Sequence, residues 1–251
     1  MNIFVAFRKE WSELLRSYRL LVVAIVLVFF GLTSPLFAKM MPEILKAFPT
    51  GGITIQMPTP TVGSAIDQYI KNMAQFGLIL ALLLTMGTIA QEKDKGTAAM
   101  MLVKPLPRGS FVLAKYLGIT AMFTVSLAIA AIGCYYYTML LFEPLDVVHW
   151  LALNGLILLY TLVYAALTLF CSTLTRSQVV AGGIAIALFV ILAGIGSIGA
   201  LGKYLPGELV NWGGRIMQGD SAGSWPAFGV SIGLIAVSLL ASWLVFRRQE
   251  L

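Results

Sequence analysis

Six long apolar runs limit this chain to one kind of fold. They fall at about residues 20–38, 73–90, 116–142, 150–174, 179–201 and 226–246, and none contains an acidic or basic residue. A helix rises about 1.5 Å per residue, so runs of this length cross a hydrocarbon core about 30 Å thick. Inside lipid the backbone N–H and C=O groups have no water to pair with, and a helix satisfies them within the segment. The expected fold is all-α: a polytopic membrane helix bundle with six transmembrane helices, forming a single transmembrane domain over residues 1–251. Only 11% of the residues are charged, where a soluble domain carries about 25%. So few charges do not cover a water-facing surface.

The net charge of +6 reflects where such a bundle keeps its basic residues. With the N-terminus inside, the inner segments hold twelve of the 17 lysines and arginines and the outer loops five. Basic residues accumulate in cytoplasmic loops, so both the N- and C-termini are expected in the cytoplasm. The same bias explains the positive charge with no nucleic acid as partner. Ahead of the first run, Ile3, Phe4, Phe7, Trp11, Leu14, Leu15 and Tyr18 recur three and four residues apart, with Arg8, Lys9, Ser12, Glu13 and Arg16 between them. That stripe predicts an amphipathic helix at about residues 2–18, lying in the membrane interface among the lipids. No small-residue cleavage site follows, so the segment does not read as a cleaved signal peptide.

The outer connections are residues 39–71 and 202–225. Pro42, Pro49, Gly51, Gly52, Pro58 and Pro60 make the first irregular in its middle, with residues 65–71 beginning the next helix. The second carries Pro206, Gly213, Gly214 and Gly219, with Trp212 and Trp225 at the interface. Gly229 and Gly233, Gly196 and Ala200, and Ala193 and Ser197 are each four residues apart, which predicts close helix contacts within the bundle. Cys134 and Cys171 lie inside apolar runs and read as buried core residues, without a disulfide or a metal.

Several chemistries lack their residues. A charge near mid-membrane costs at least ~2.5–3.5 kcal/mol and is usually retained for a task, so uncharged spans disfavour ion-coupled secondary transport. The stretch GSIGALGKY at 196–204 resembles a phosphate loop but fails as one. Five residues separate Gly196 from Gly202, and Tyr204 stands where a magnesium-binding Ser or Thr belongs. The single histidine, His149, falls at an outer interface beside Trp150, which excludes Ser–His and HExxH chemistry at depth. No catalytic, cofactor-binding or metal residues are expected in this chain.

Residues 91–115, QEKDKGTAAMMLVKPLPRGSFVLAK, form the longest inner interruption. Glu92, Lys93, Asp94 and Lys95 precede Gly96 and Thr97. The apolar patch Met100, Met101, Leu102 and Val103 follows, and then Lys104, Pro105, Pro107 and Arg108. Thr97 is a good N-cap and Pro105 a stop, so about two helical turns fit between them. Ser110 is placed to cap the helix leading into the third span. Charged flanks hold the patch at the membrane surface, where its methionines and Leu102 suit either the lipid interface or the groove of a partner protein.

The order Glu92, Lys93, Asp94, Lys95, Gly96, Thr97, then Leu102 to Arg108 and Lys115, resembles the signature loop of type-2 ATP-binding-cassette (ABC) permeases. The N-terminal amphipathic helix, six spans, large first outer loop and short second inner link are similar to that family across nearly the whole chain. Departures are Pro107 before Arg108, where Ser is common, and Ala98 and Ala99, where Leu-Glu is common. The resemblance implies a permease subunit in the cell membrane that is not itself an enzyme. It implies cytoplasmic ABC ATPase subunits as partners, carrying Mg-ATP, and a second permease subunit, identical or related. Docking to the ATPase is expected through Glu92, Lys95, Gly96, Thr97, Met100, Met101, Leu102, Val103, Lys104, Pro105 and Arg108, with a second contact at Thr175 and Arg176. The cargo expected is lipid-like, peptide or drug-like, moved outward. A membrane scaffold that binds a cytoplasmic partner without transport is the reading from a different class.

Overall fold

A computed structural model describes residues 3–47, 60–96, 107–220 and 222–249. Every regular element among them is a helix. The amphipathic α1 spans Ile3–Arg16, followed by α2 at Arg19–Ala47, α3 at Val62–Thr85 and the short α4 at Ala90–Asp94. Then come α5 at Arg108–Leu141, α6 at Val147–Leu174 and α7 at Gln178–Gly196. The chain continues through the single turn α8 at Gly199–Gly202, α9 at Gly207–Met217 and α10 at Trp225–Arg248. Six helical segments are long and apolar enough to cross a membrane: Arg19–Met41, Val62–Asp94, Arg108–Leu141, Val147–Leu174, Gln178–Gly196 and Trp225–Arg248.

Several boundaries differ from the hydropathy reading, because helix formation does not stop where charge begins. Helix α3 starts at Val62, well before the expected residue 73. Thr61 caps it, accepting from the Ser64 N–H at 3.3 Å while Ser64 Oγ accepts from the Thr61 N–H at 3.2 Å. Asp67 and Lys71 are carried on its exposed face. Helix α5 starts at Arg108, not 116, and Ser110 is inside it rather than capping it. Pro107 supplies the start, a place where its missing N–H is no loss. Helix α2 runs on through Pro42 to Ala47, and α7 ends at Gly196.

Helix α6 is the most enclosed span, while α7 and α10 are the least. It packs against α3, α5, α7, α9 and α10. The core formed with α3 contains Tyr69, whose hydroxyl donates to Asn154 Oδ1 at 2.6 Å, while Asn154 Nδ2 donates to the Trp150 carbonyl at 2.9 Å. Nearby, Asn72 Nδ2 donates to Ser34 Oγ at 2.9 Å. These are the partners that polar side chains need where water is excluded. Cys134 and Cys171 are buried and unbridged.

Small residues bring helices together at Gly31, Gly182 and Gly213. A Cβ on Gly31 would lie 2.9 Å from the Ala130 carbonyl oxygen, so α2 rests directly on the α5 backbone. Gly213 makes room for the Leu153 side chain and Gly182 for that of Met86. Gly229 and Gly233 of α10 meet nothing within 4 Å, and Gly196 is the last residue of α7, so no continuous helix face joins it to Ala200.

The connection after α7 is not a plain loop. Helix α9 buries Leu209, Trp212 and Gly213 against α6 and α3 and turns Glu208 and Arg215 toward each other at 2.7 Å. Partial burial pushes the Glu208 carboxyl up, but hydrogen bonds from Arg215, Asn211 and Ser224 outweigh it and hold the group below its ordinary value. A depressed carboxyl contributes stability above its unfolded pKa and loses it as pH falls.

Two outcomes follow. Gly31→Val will force α2 off α5 and lower stability by about 1–3 kcal/mol, read as a drop in the unfolding temperature of the purified protein. The protection of α9 against hydrogen exchange will hold at neutral pH and fall as acid takes the pH below the ordinary glutamate value and through the depressed one of Glu208; in Glu208→Gln that acid step will be absent.

Candidate functional site

The start of α5, the ends of α6 and α10, and all of α1 and α4 meet at the end of the bundle that carries both termini. Lys115 is at the centre. It lies two turns into α5 and is 3% exposed. Its ammonium Nζ donates to Glu92 Oε1 at 2.6 Å and to Glu10 Oε2 at 3.2 Å. This corrects the expectation of charge-free spans, since the third span begins early enough to include Lys115. A buried ion pair is stable only when the geometry is close and its groups are compensated. Here one cation serves two carboxylates.

Each carboxylate comes from a different element. Glu10 is on the face of α1 that also buries Ala6 and Leu14, and this face settles on Gly118 of α5. Phe7 and Trp11, stacked at 6.5 Å, and the exposed Phe4 are on the rest of α1. The helix therefore uses one side for α5 and leaves an aromatic side for lipid. Glu92 is on α4, just past a turn in which α3 ends at Thr85 and the chain restarts at Ala90. The N–H groups of Ile89 and Ala90, which begin α4, both donate to Ser172 Oγ, at 3.1 and 3.0 Å. One hydroxyl from the end of α6 thus caps the new helix.

Further contacts fix the same region. Lys93 Nζ donates to the Thr173 carbonyl at 2.7 Å and to Gln249 Oε1 at 3.2 Å, and Gln249 Nε2 donates to the Thr173 carbonyl at 3.0 Å. Gln91 donates to Gln178 at the start of α7. Arg108 Nη1 donates to the carbonyls of Phe246, Arg247 and Gln249 at 3.1, 2.7 and 3.1 Å, a cation on the exposed C-terminal acceptors of α10.

Among the residues predicted to dock a partner, Glu92 and Arg108 are engaged within the chain. Lys95 is exposed at the end of α4, and Gly96 follows with φ +68°, a left-handed conformation that suits glycine and ends the helix. Thr97, Met100, Met101, Leu102, Val103, Lys104 and Pro105 lie outside the described residues. The second predicted contact, Thr175 and Arg176, is in the link between α6 and α7, where Thr175 Oγ1 donates to the Ser177 carbonyl and Arg176 is exposed. Ser172, Thr173 and Gln178 tie that link to α4, so the two predicted contact regions are neighbours. Sequence reasoning missed Glu10 and Gln249. Glu10 had a signal: it interrupts the apolar face of an amphipathic helix.

A cavity of about 450 Å³ lies between α1, α4 and α5, with Arg19, Leu84, Gln91 and Met122 among its walls. Glu10, Glu13 and Glu92 bring carboxylate oxygens within 4.8 Å of one another there. The cation between two of them is Lys115 itself.

Lys115→Ala will remove the buried cation that Glu10 and Glu92 share and will cost about 3–5 kcal/mol. Lys115→Met combined with Glu10→Gln and Glu92→Gln will recover most of the loss. Thermal unfolding of the two purified variants in detergent checks both outcomes.

The comparisons agree with this architecture. A family model described as ABC-2 family transporter protein matches residues 4–212, from the body of α1 into α9. The chain is also similar to a protein of Bacillus subtilis (strain 168) described as the uncharacterized transmembrane protein YxlG. That protein is 27% identical over 256 residues, a match that covers 100% of this chain and 99% of the relative. Six apolar helices and the family match together make this a multi-pass cell-membrane protein, and the chain belongs to the ABC-2 family of transporter proteins.

Proposed function

We propose that this chain is the permease subunit of an ABC exporter and that residues 91–108 form the segment through which a separate ATPase drives it. Family membership implies association with ABC ATPase subunits. On this reading the termini-bearing end faces the cytoplasm, and Mg-ATP binds only to the partner. A second permease subunit completes the pathway, and the cargo is lipid-like, peptide or drug-like.

The observation that carries the reading is the way both flanks of residues 97–106 are held. On one side α4 is tied to α1 through Lys115 and to α6 through Ser172 and Lys93. On the other side Arg108 ties the start of α5 to the end of α10. Glu92 and Arg108 then belong to the mounting of the segment, and the apolar Met100, Met101, Leu102 and Val103 to its docking face. A push on that face reaches α1, α5, α6 and α10 together. The mechanism requires the ATPase to bind the segment differently in its two states, because only differential contacts shift a conformational equilibrium.

Burying one leucine-sized side chain stabilises an interface by about 1.5–3 kcal/mol. Met101→Asp with Leu102→Asp will therefore weaken association with the cognate ATPase by tenfold or more, and will uncouple hydrolysis from the permease without lowering its membrane abundance. Co-purification and permease-dependent ATP hydrolysis measure the two effects. Native association and hydrolysis in the double variant would exclude the segment as the docking site.

A further inference from the structure

A second cavity, of about 480 Å³, lies between α6, α7 and the connection carrying α8 and α9. Tyr160, Tyr164, Phe189, Leu192, Lys203 and Glu208 help line it. It is remote from the coupling segment. About 15 Å of helix, at about 1.5 Å per residue, separates Tyr164 from the end of α6 beside α4.

Two tyrosines set its chemistry. Tyr160 and Tyr164 are one turn apart on α6 and only 8% and 5% exposed. Their rings meet edge to face at 5.0 Å, and Phe189 closes on Tyr164 at 5.4 Å. Tyr69, Tyr116 and Tyr135 each place their hydroxyl on a partner in the protein. The hydroxyls of Tyr160 and Tyr164 make no hydrogen bond among the described residues. The rings are buried, but neither hydroxyl oxygen is sealed from solvent. The two hydroxyls are therefore free donors on the wall of one cavity.

The charges select the ligand. Glu208 is already occupied: it accepts from Arg215 at 2.7 Å, from Ser224 at 3.0 Å and from Asn211 at 3.2 Å. Lys203 contacts the Tyr204 ring, with its ammonium 5.1 Å from the centroid, and has no carboxylate partner among the described residues. The uncompensated charge at the cavity is therefore positive. Phe189 and Leu192 supply an apolar wall on α7, a helix with little of its surface covered.

We infer that this cavity binds an acyl-ester lipid with an anionic head. Lys203 pairs with the phosphate, the hydroxyls of Tyr160 and Tyr164 donate to the ester oxygens, and the acyl chain lies along Phe189 and Leu192. Calling this lipid a cargo rests on the permease reading; the binding site does not.

The test is equilibrium binding of lysophosphatidylglycerol to the purified full chain in detergent, with no ATPase present. Tyr160→Phe with Tyr164→Phe will raise Kd about tenfold, the loss of two modest hydrogen bonds, while the unfolding temperature stays at the native value. Lys203→Gln will abolish the preference of the native protein for lysophosphatidylglycerol over lysophosphatidylcholine. Glycerol phosphate, which has the head but no tail, will not compete. An unchanged Kd in the double phenylalanine variant overturns the site, as does equal native affinity for the two lysolipids. Competition by glycerol phosphate would overturn the lipid assignment in favour of a free anion. The Met101→Asp, Leu102→Asp protein serves as the control and will bind the lysolipid normally. If lipid binding fails while that variant still loses its ATPase, this inference falls and the permease reading stands. If lipid binding holds while that variant keeps its ATPase, the site stands and the docking reading falls.

Discussion

The structure depends on one buried ammonium group. Lys115 sits where a lone charge is costly, and it is tolerated because Glu10 and Glu92 reach it from two separate helices. Desolvation offsets much of the attraction in such a cluster, so it sets position more than it adds stability. Hydrophobic contacts would let α1 and α4 slide along α5, whereas two carboxylates on one cation define a single register. The hydroxyl of Ser172, the Lys93 ammonium and the Arg108 guanidinium extend the same logic to α6 and α10. Each places a polar side chain on backbone groups that a helix end leaves unsatisfied.

The two ends of the bundle are consequently built from different forces. The termini-bearing end is joined by charge-assisted hydrogen bonds between elements far apart in sequence. The opposite end is joined by aromatic rings, with Trp212 against Trp225 at 5.4 Å and Tyr164 against Phe189, and its charged pair, Glu208 with Arg215, is local to α9. The first kind of contact is directional and switches between discrete partners. The second tolerates sliding. This division fits the proposed drive at one end and the proposed lipid site at the other.

Much of this was legible in the sequence. The six runs were identifiable because lipid imposes the same demand on every spanning residue, and that demand shows in single-residue hydropathy. Their ends were less legible. Asp67 and Lys71 ride on the exposed side of α3, and Lys115 is neutralised by residues far away in sequence, so a charge did not mark the edge of a helix. Helix α9 was obscured by Pro206, Gly213 and Gly214, which read as loop residues. Leu209, Trp212 and Ile216, spaced three and four apart, carried the opposing signal. The pairing of Glu10 with Lys115 could not be read at all, since nothing local in either segment specifies the other. Residues 97–106 drew their meaning from family resemblance and lie outside the described residues. The tyrosines of α6 were hidden inside an apolar run, where their rings match the pattern and their hydroxyls do not.

The separation of Glu10 from Lys115 has a further consequence for biogenesis. The two are 105 residues apart, and synthesis proceeds from the N-terminus, so α1 leaves the ribosome well before its partner exists. Until α5 is made, Glu10 has no buried cation to meet, and the amphipathic helix has only the lipid surface to rest on. Its aromatic side suits that wait. The contact of α1 with α5 is thus one that only the later-made third span can complete.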